Sequence, residues 1–270
     1  MTSLKRTELA SALSNLTITN EFGTTIPTKK ESEQLVQVLA DVFVQDQLFG
    51  WMANVPSKSS RSDTSSTPSP PSSPDMLDHR RKIMLNLNQY IFRMISSLTR
   101  KHGAILGVKD KKDGSISGAM CVMAPAAARK AFTLNWVLYA LRRGLPPTHA
   151  SSTKSDYGKM AEKRFDYSDV IVKRRKELME TYTNWIYLQT IGRVHTSHQG
   201  QGVGGHLLRS LVSAADSLHA HVYLETESVE NEALYKHFGF RTLELFQMHV
   251  PGDVSQDANF TMYLMIRDPQ

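Results

Sequence analysis

Cysteine is almost absent: 270 residues carry one, Cys121. That excludes an internal disulfide and any metal site built on several thiolates, and it suits a reducing compartment, so a cytoplasmic location is expected. Long apolar runs are missing too. The longest, Ala131 to Leu141, is broken by Thr133 and Asn135 and is too short to cross a bilayer. The first thirty residues have no apolar segment and carry Glu8 and Glu21, so no secretory leader is read there. No membrane partner is expected. A net charge of +6 favours acidic ligands mildly and does not call for nucleic acid. With 40% hydrophobic residues the chain can bury a core. The expectation is a flexible arm over 1–31 and a single domain over 32–270.

Along the chain, Leu35, Val38, Leu39, Val42 and Phe43 recur at helical spacing and predict a helix from Ser32 to Gln45. Ser57 to Asp75 then holds nine serines, two threonines and four prolines. Such a stretch cannot offset its ordering entropy by burial, and it reads as a disordered insertion within the domain. Leu87, Tyr90, Ile91, Met94, Ile95 and Leu98 line a second helix. Ala104–Val108 and Ser115–Met123 flank Asp113-Gly114 and read as a hairpin. Ala127 to Arg143 reads as a helix. His149 to Glu180 is polar, with a helix of unclear edges within Ser168–Thr181. Its run Lys173-Arg174-Arg175-Lys176 reads as a solvated face.

The last third is the most informative. Ile186–Val194 is a strand pattern, Gln199-Gly200-Gln201-Gly202-Val203-Gly204-Gly205 is glycine-rich, and Leu207, Leu208, Leu211, Val212 and Ala215 recur at helical spacing. His221–Thr226 reads as the next strand, reached by a crossover. Glycines let successive backbone N–H groups converge on one point, and a helix start adds partial positive charge. The turn is therefore an anion cradle suited to a diphosphate. Gly200-x-Gly202-x-x-Gly205 with Glu225 downstream also fits a dinucleotide fingerprint, which leaves an NAD-binding oxidoreductase as an alternative. Its context is poor. Five residues separate Val194 from Gly200, and the upstream chain lacks regular βαβ alternation.

Gln199-x-x-Gly202-x-Gly204, followed by Asn231, Tyr235 and Gly239-Phe240, resembles the GNAT superfamily of acyl-CoA-dependent N-acyltransferases. The resemblance is strong over Trp185–Phe240. It implies an α/β fold with a central mixed, mostly antiparallel sheet, splayed at strands four and five and flanked by helices. It also implies acetyl-CoA as co-substrate and acetyl transfer to a primary amine on a small molecule or peptide by direct attack in a ternary complex. No metal is expected, because among ten histidines the pairs His195/His198 and His219/His221 have no carboxylate at ligand spacing. A non-catalytic acyl-CoA sensor with the same cradle is a further alternative.

By that resemblance Gln199, Gly200, Gln201, Gly202, Val203, Gly204 and Gly205 hold the diphosphate. Arg193, Val194 and Thr196 line the pantetheine arm, and Asn231 contacts it. Tyr235 donates a proton, or a hydrogen bond, to the departing thiolate. The histone-modifying branch of the superfamily places a glutamate base where this chain has Leu188, and Gln189 beside it cannot replace one. Glu225 and His195 remain as candidate bases. Cys121 reads as a buried strand thiol rather than a nucleophile.

Overall fold

The computed structural model describes residues 4–14, 22–25, 28–53, 74–110, 114, 116–125, 139, 141–143, 156–193, 202–254 and 259–270. Seven strands form one sheet in the order β1-β2-β3-β4-β5-β7-β6. They are β1 (Phe22–Thr25), β2 (Gly103–Asp110), β3 (Ile116–Met123), β4 (Trp185–Arg193), β5 (His221–Thr226), β6 (Arg241–His249) and β7 (Asn259–Arg267). Only β4 and β5 run parallel; every other neighbouring pair is antiparallel. That arrangement rules out the doubly wound parallel sheet that a dinucleotide fingerprint requires.

The helices form two layers. On one face lie α2 (Lys29–Val42), α3 (Gln47–Met52), α4 (Pro74–His102), α5 (Asp156–Tyr167) and α6 (Asp169–Leu178). On the other lie α1 (Arg6–Ser14), α7 (Val203–Ser217) and α8 (Val229–His237). The expected α2 is present, and its start is set locally. Thr28 caps the amide of Glu31 while Glu31 reaches back to the Thr28 amide. Its apolar stripe, Leu35, Val36, Leu39 and Ala40, is buried against α4. The expected hairpin is β2–β3, with Gly114 at φ +70 in its turn. Pro74 and Asp75, read as the end of the Ser/Pro insertion, instead open α4, where a proline at the first position is compatible with the helix. The rest of that insertion, and most of the helix expected over Ala127–Arg143, lie outside the described residues.

Two expectations are corrected. The segment read as a flexible arm contains α1 and β1. Leu4, Leu9 and Leu13 are buried, Arg6 donates to the Gly103 carbonyl at 3.2 Å, and β1 pairs with β2. Three leucines give a weak periodic signal. The surface that receives them comes from α7 and β2, far along the chain, and tertiary packing overrides weak local preference. Leu9→Ala should therefore lower unfolding stability in urea by about 2–3 kcal/mol. A loose arm predicts no change. The second correction is α5, which falls in a stretch where only the later helix was expected.

The parallel pair positions the site. Pairing of β4 with β5 runs from Trp185↔His221 to Leu188↔Leu224 and stops. Beyond it, β5 continues along β7 to Thr226 and β4 continues along β3 to Arg193. The two strands part like a fork, leaving the far end of β4 without a β5 partner.

Candidate active site

Helix α7 starts beside the free end of β4. Arg193 pairs with Gly118 on β3, and a side chain at Gly118 would collide with Val203 Cγ1 at 2.6 Å. Glycine there lets the helix start seat closely on the sheet. Gly202 is the N-cap, at φ 73 and ψ 17, and has no side chain to satisfy the first-turn amides. The first helical bond runs from the His206 N–H to the Gly202 carbonyl, 2.8 Å. Among the described residues nothing accepts from the amides of Val203, Gly204 and Gly205. Among the described residues, a Cβ at Gly202 or Gly204 would meet nothing within 4 Å. Uncapped amides and helix polarity suit a diphosphate. Val194, His195, Thr196, Gln199, Gly200 and Gln201, the other sequence candidates in this turn, lie outside the described residues.

Tyr235 and Asn231 sit one turn apart on α8, which Ser228 caps by accepting from the Asn231 amide at 3.1 Å. Asn231 is exposed. Tyr235 is 7% exposed, packs on Phe240 with ring centroids 5.6 Å apart, and has no hydrogen-bond partner among the described residues. Burial, and then the charge of Glu227, push its phenol above the ordinary tyrosine range.

Glu225 ends up in a network the sequence did not reveal. It lies one residue past the last β4–β5 pair. Its Oε1 accepts from Arg175 Nε at 2.7 Å and from the Tyr223 hydroxyl at 3.1 Å. Its Oε2 accepts from Arg175 Nη2 at 3.0 Å and from the Tyr187 hydroxyl at 2.8 Å. The guanidinium stacks on the Tyr187 ring at 3.9 Å. Of the basic run on α6, Lys173 and Lys176 are exposed as expected, but Arg175 turns inward. Burial opposes its charge, yet Glu225 outweighs it and raises the pKa.

A second acidic position was also missed. Asp46 caps α3, with Oδ1 accepting from the Phe49 amide at 2.9 Å, and it lies within electrostatic reach of Glu227, just past β5. Burial and then the Glu227 charge raise the Asp46 pKa well above the ordinary carboxylate range. No local motif marks either residue. Cys121 is buried, and burial pushes its thiol up to about 12, as suits an inert strand residue rather than a nucleophile. No group of three or more His, Cys, Asp or Glu fit for a metal occurs among the described residues.

Comparison with known proteins places the same segment in one family. The family model described as the acetyltransferase (GNAT) domain matches residues 169–242. Increased recombination centers protein 11 of Saccharomyces cerevisiae is 31% identical over 110 residues, which cover 38% of this chain and 69% of that protein. Two solved structures share the fold. Arylalkylamine N-acetyltransferase 2 from Aedes aegypti aligns with a TM-score of 0.57 and 10% identity, over 93% of this chain and 100% of its own. A histone acetyltransferase HPA2-related protein from Corynebacterium glutamicum aligns with a TM-score of 0.50 and 17% identity, over 93% and 98%.

Proposed function

This chain belongs to the GNAT superfamily of acyltransferases, and we propose that it moves an acetyl group from acetyl-CoA to a primary amine by direct attack in a ternary complex. The observation that carries the reading is the first turn of α7, uncapped among the described residues, beside the free end of β4. Acetyl-CoA supplies the acyl group already activated as a thioester. In this reading Gly202, Val203, Gly204 and Gly205, with Gln199, Gly200 and Gln201, hold its diphosphate. Arg193, Val194 and Thr196 pair with its pantetheine arm in the space that β5 vacates, and Asn231 borders it. A main-chain amide aimed at the carbonyl oxygen contributes about 3 kcal/mol of transition-state stabilisation. Tyr235, kept protonated by burial, donates a hydrogen bond toward the departing sulfur. Among the fold neighbours, the Aedes protein is named for arylalkylamines and another solved structure for agmatine, which supports an amine acceptor.

Thermal unfolding tests this directly. CoA should raise the melting temperature and NAD should not, since a ligand stabilises the folded state it binds. Gly202→Val should weaken CoA binding about tenfold, because a side chain is strained at φ 73 by about 1–2 kcal/mol. A shift with NAD and none with CoA would refute the proposal.

A further inference from the structure

Resting on the reading above, we propose that the acceptor binds on the α2–α4 face of the fork, its nitrogen hydrogen-bonded to the Thr190 hydroxyl and an apolar body against Phe43 and Phe49. The acceptor is then a primary amine with an aromatic or similarly bulky apolar body.

Strand register places the hydroxyl. Cys121 pairs with Thr190 and Val122 with Leu188, so Gln189 is an extra residue, a bulge in β4 one step past its last pair with β5. Residues paired across two strands share a face of the sheet. Cys121 belongs to the core beneath α2 and α4, so Thr190 faces that side. Helix α4 covers the bulge there, with the Thr99 hydroxyl donating to Gln189 Oε1 at 3.4 Å. The Thr190 hydroxyl itself, on a residue 7% exposed, has no hydrogen-bond partner among the described residues. A buried hydroxyl left unpaired weakens the resting protein, and a ligand that brings a donor supplies the missing bond.

Packing against β4 places the rings. Gly192 pairs with Ala119 of the same core, so it shares the Thr190 face, about 6–7 Å along the strand. Phe43 Cε2 lies 3.3 Å from where a Cβ of Gly192 would sit. The Phe43 ring stands 5.7 Å from Phe49, and these two stand 5.0 and 5.6 Å from Phe92. Phe92 is fully buried, whereas Phe43 and Phe49 are only partly covered. An aromatic surface thus begins one strand repeat beyond the hydroxyl, on the part of β4 that β5 has left.

The two faces of the sheet divide the substrates. Helix α7, whose first turn is read as the diphosphate site, packs on the opposite face. The thioester therefore reaches the fork from that side, and the face of Thr190, Phe43 and Phe49 is left to the acceptor. The hydroxyl accepts an N–H from the nitrogen and takes no proton. Its role is to position the reacting atom.

The test uses the full chain, with 2-phenylethylamine and ethylamine as probes of acetyl-CoA turnover. Wild type should favour 2-phenylethylamine about 30-fold in kcat/KM, from burial of its ring. Phe49→Leu keeps an apolar side chain and should fold, and it should narrow that preference about threefold or more. Thr190→Val should lower kcat/KM about tenfold for both amines, with the acetyl-CoA KM and the CoA melting shift unchanged. Thr190→Ser, which keeps the hydroxyl, should recover most of that loss. Without substrate, Thr190→Val should hold or raise the urea midpoint, because valine suits a strand and leaves nothing unpaired. A merely structural hydroxyl gives the reverse, a midpoint lower by about 0.5 M or more, and that result overturns the proposal. So does a Thr190→Val protein within twofold of wild type in turnover, a wild type that uses the two amines equally, or one that binds CoA and acetylates neither. Each of these leaves CoA binding standing. The absence of a CoA melting shift in wild type instead removes the transfer reading, and the acceptor site with it.

Discussion

Arg164→Ala should lower unfolding stability by about 3–5 kcal/mol, among the largest losses any single substitution in this chain produces. Arg164 on α5 and Asp253 in the β6–β7 connection are each 1% exposed at the side chain. Arg164 Nε and Nη2 both lie 2.7 Å from Asp253 Oδ2, and Nη1 donates to the Trp51 carbonyl at 3.2 Å. The guanidinium also stands 5.3 Å from the centre of the Trp51 ring. Truncation takes the guanidinium and its hydrogen bonds from the buried Asp253 carboxylate, and the loss of that charged contact outweighs the loss of packing. Replacing both partners, as Arg164→Met with Asp253→Leu, should recover much of the loss, because nothing charged is then left buried. Urea unfolding of the single and double variants measures both terms. A single-variant loss under about 1 kcal/mol would mean that water reaches the pair. Trp51 belongs to α3, whose first turn Asp46 caps, so Arg164 also pins that short helix.

What could be read in the sequence divides along the range of the interactions involved. The α2 stripe, the Asp113-Gly114 hairpin and the crossover from β4 through α7 to β5 each rest on spacing within a few residues, and the structure has them. The glycine-rich turn reads as a cradle for the same kind of reason, since its chemistry is backbone chemistry written into consecutive positions; Gly202 to Gly205 fall at the start of α7, and the rest of the turn lies outside the described residues. Arg175 was not legible. It shares a run with Lys173 and Lys176, and only the approach of Glu225 and Tyr187 from two strands separates it from its solvated neighbours. Asp46 carries no signature at all, since it is an ordinary acid before a short helix whose start it caps. Helix α1 fails the other way: its pattern is too short to announce itself, and the groove that makes it stable is built from distant residues.

Glu225→Ala should cost about 3–5 kcal/mol, because it leaves Arg175, 5% exposed at the side chain, without its counter-charge and deprives two tyrosine hydroxyls of their acceptor. Glu225→Gln keeps the shape and removes only the charge, so it should cost less, about 1–3 kcal/mol, the cost of weakening a charged hydrogen-bond set. Stability and turnover together tell a positioning role for Glu225 from a chemical one. If Glu225 holds Arg175 and the tyrosines in place at the point where the strands part, its substitutions act first on stability. Turnover in the surviving folded fraction then falls modestly, mainly through KM. Urea unfolding and steady-state kinetics on Glu225→Gln measure both effects. A Glu225→Gln protein as stable as wild type yet about 100-fold slower in kcat would make Glu225 itself the proton acceptor. Its four donors would then have to release it during turnover, and the hydrogen bonds at 2.7–3.1 Å argue against that release.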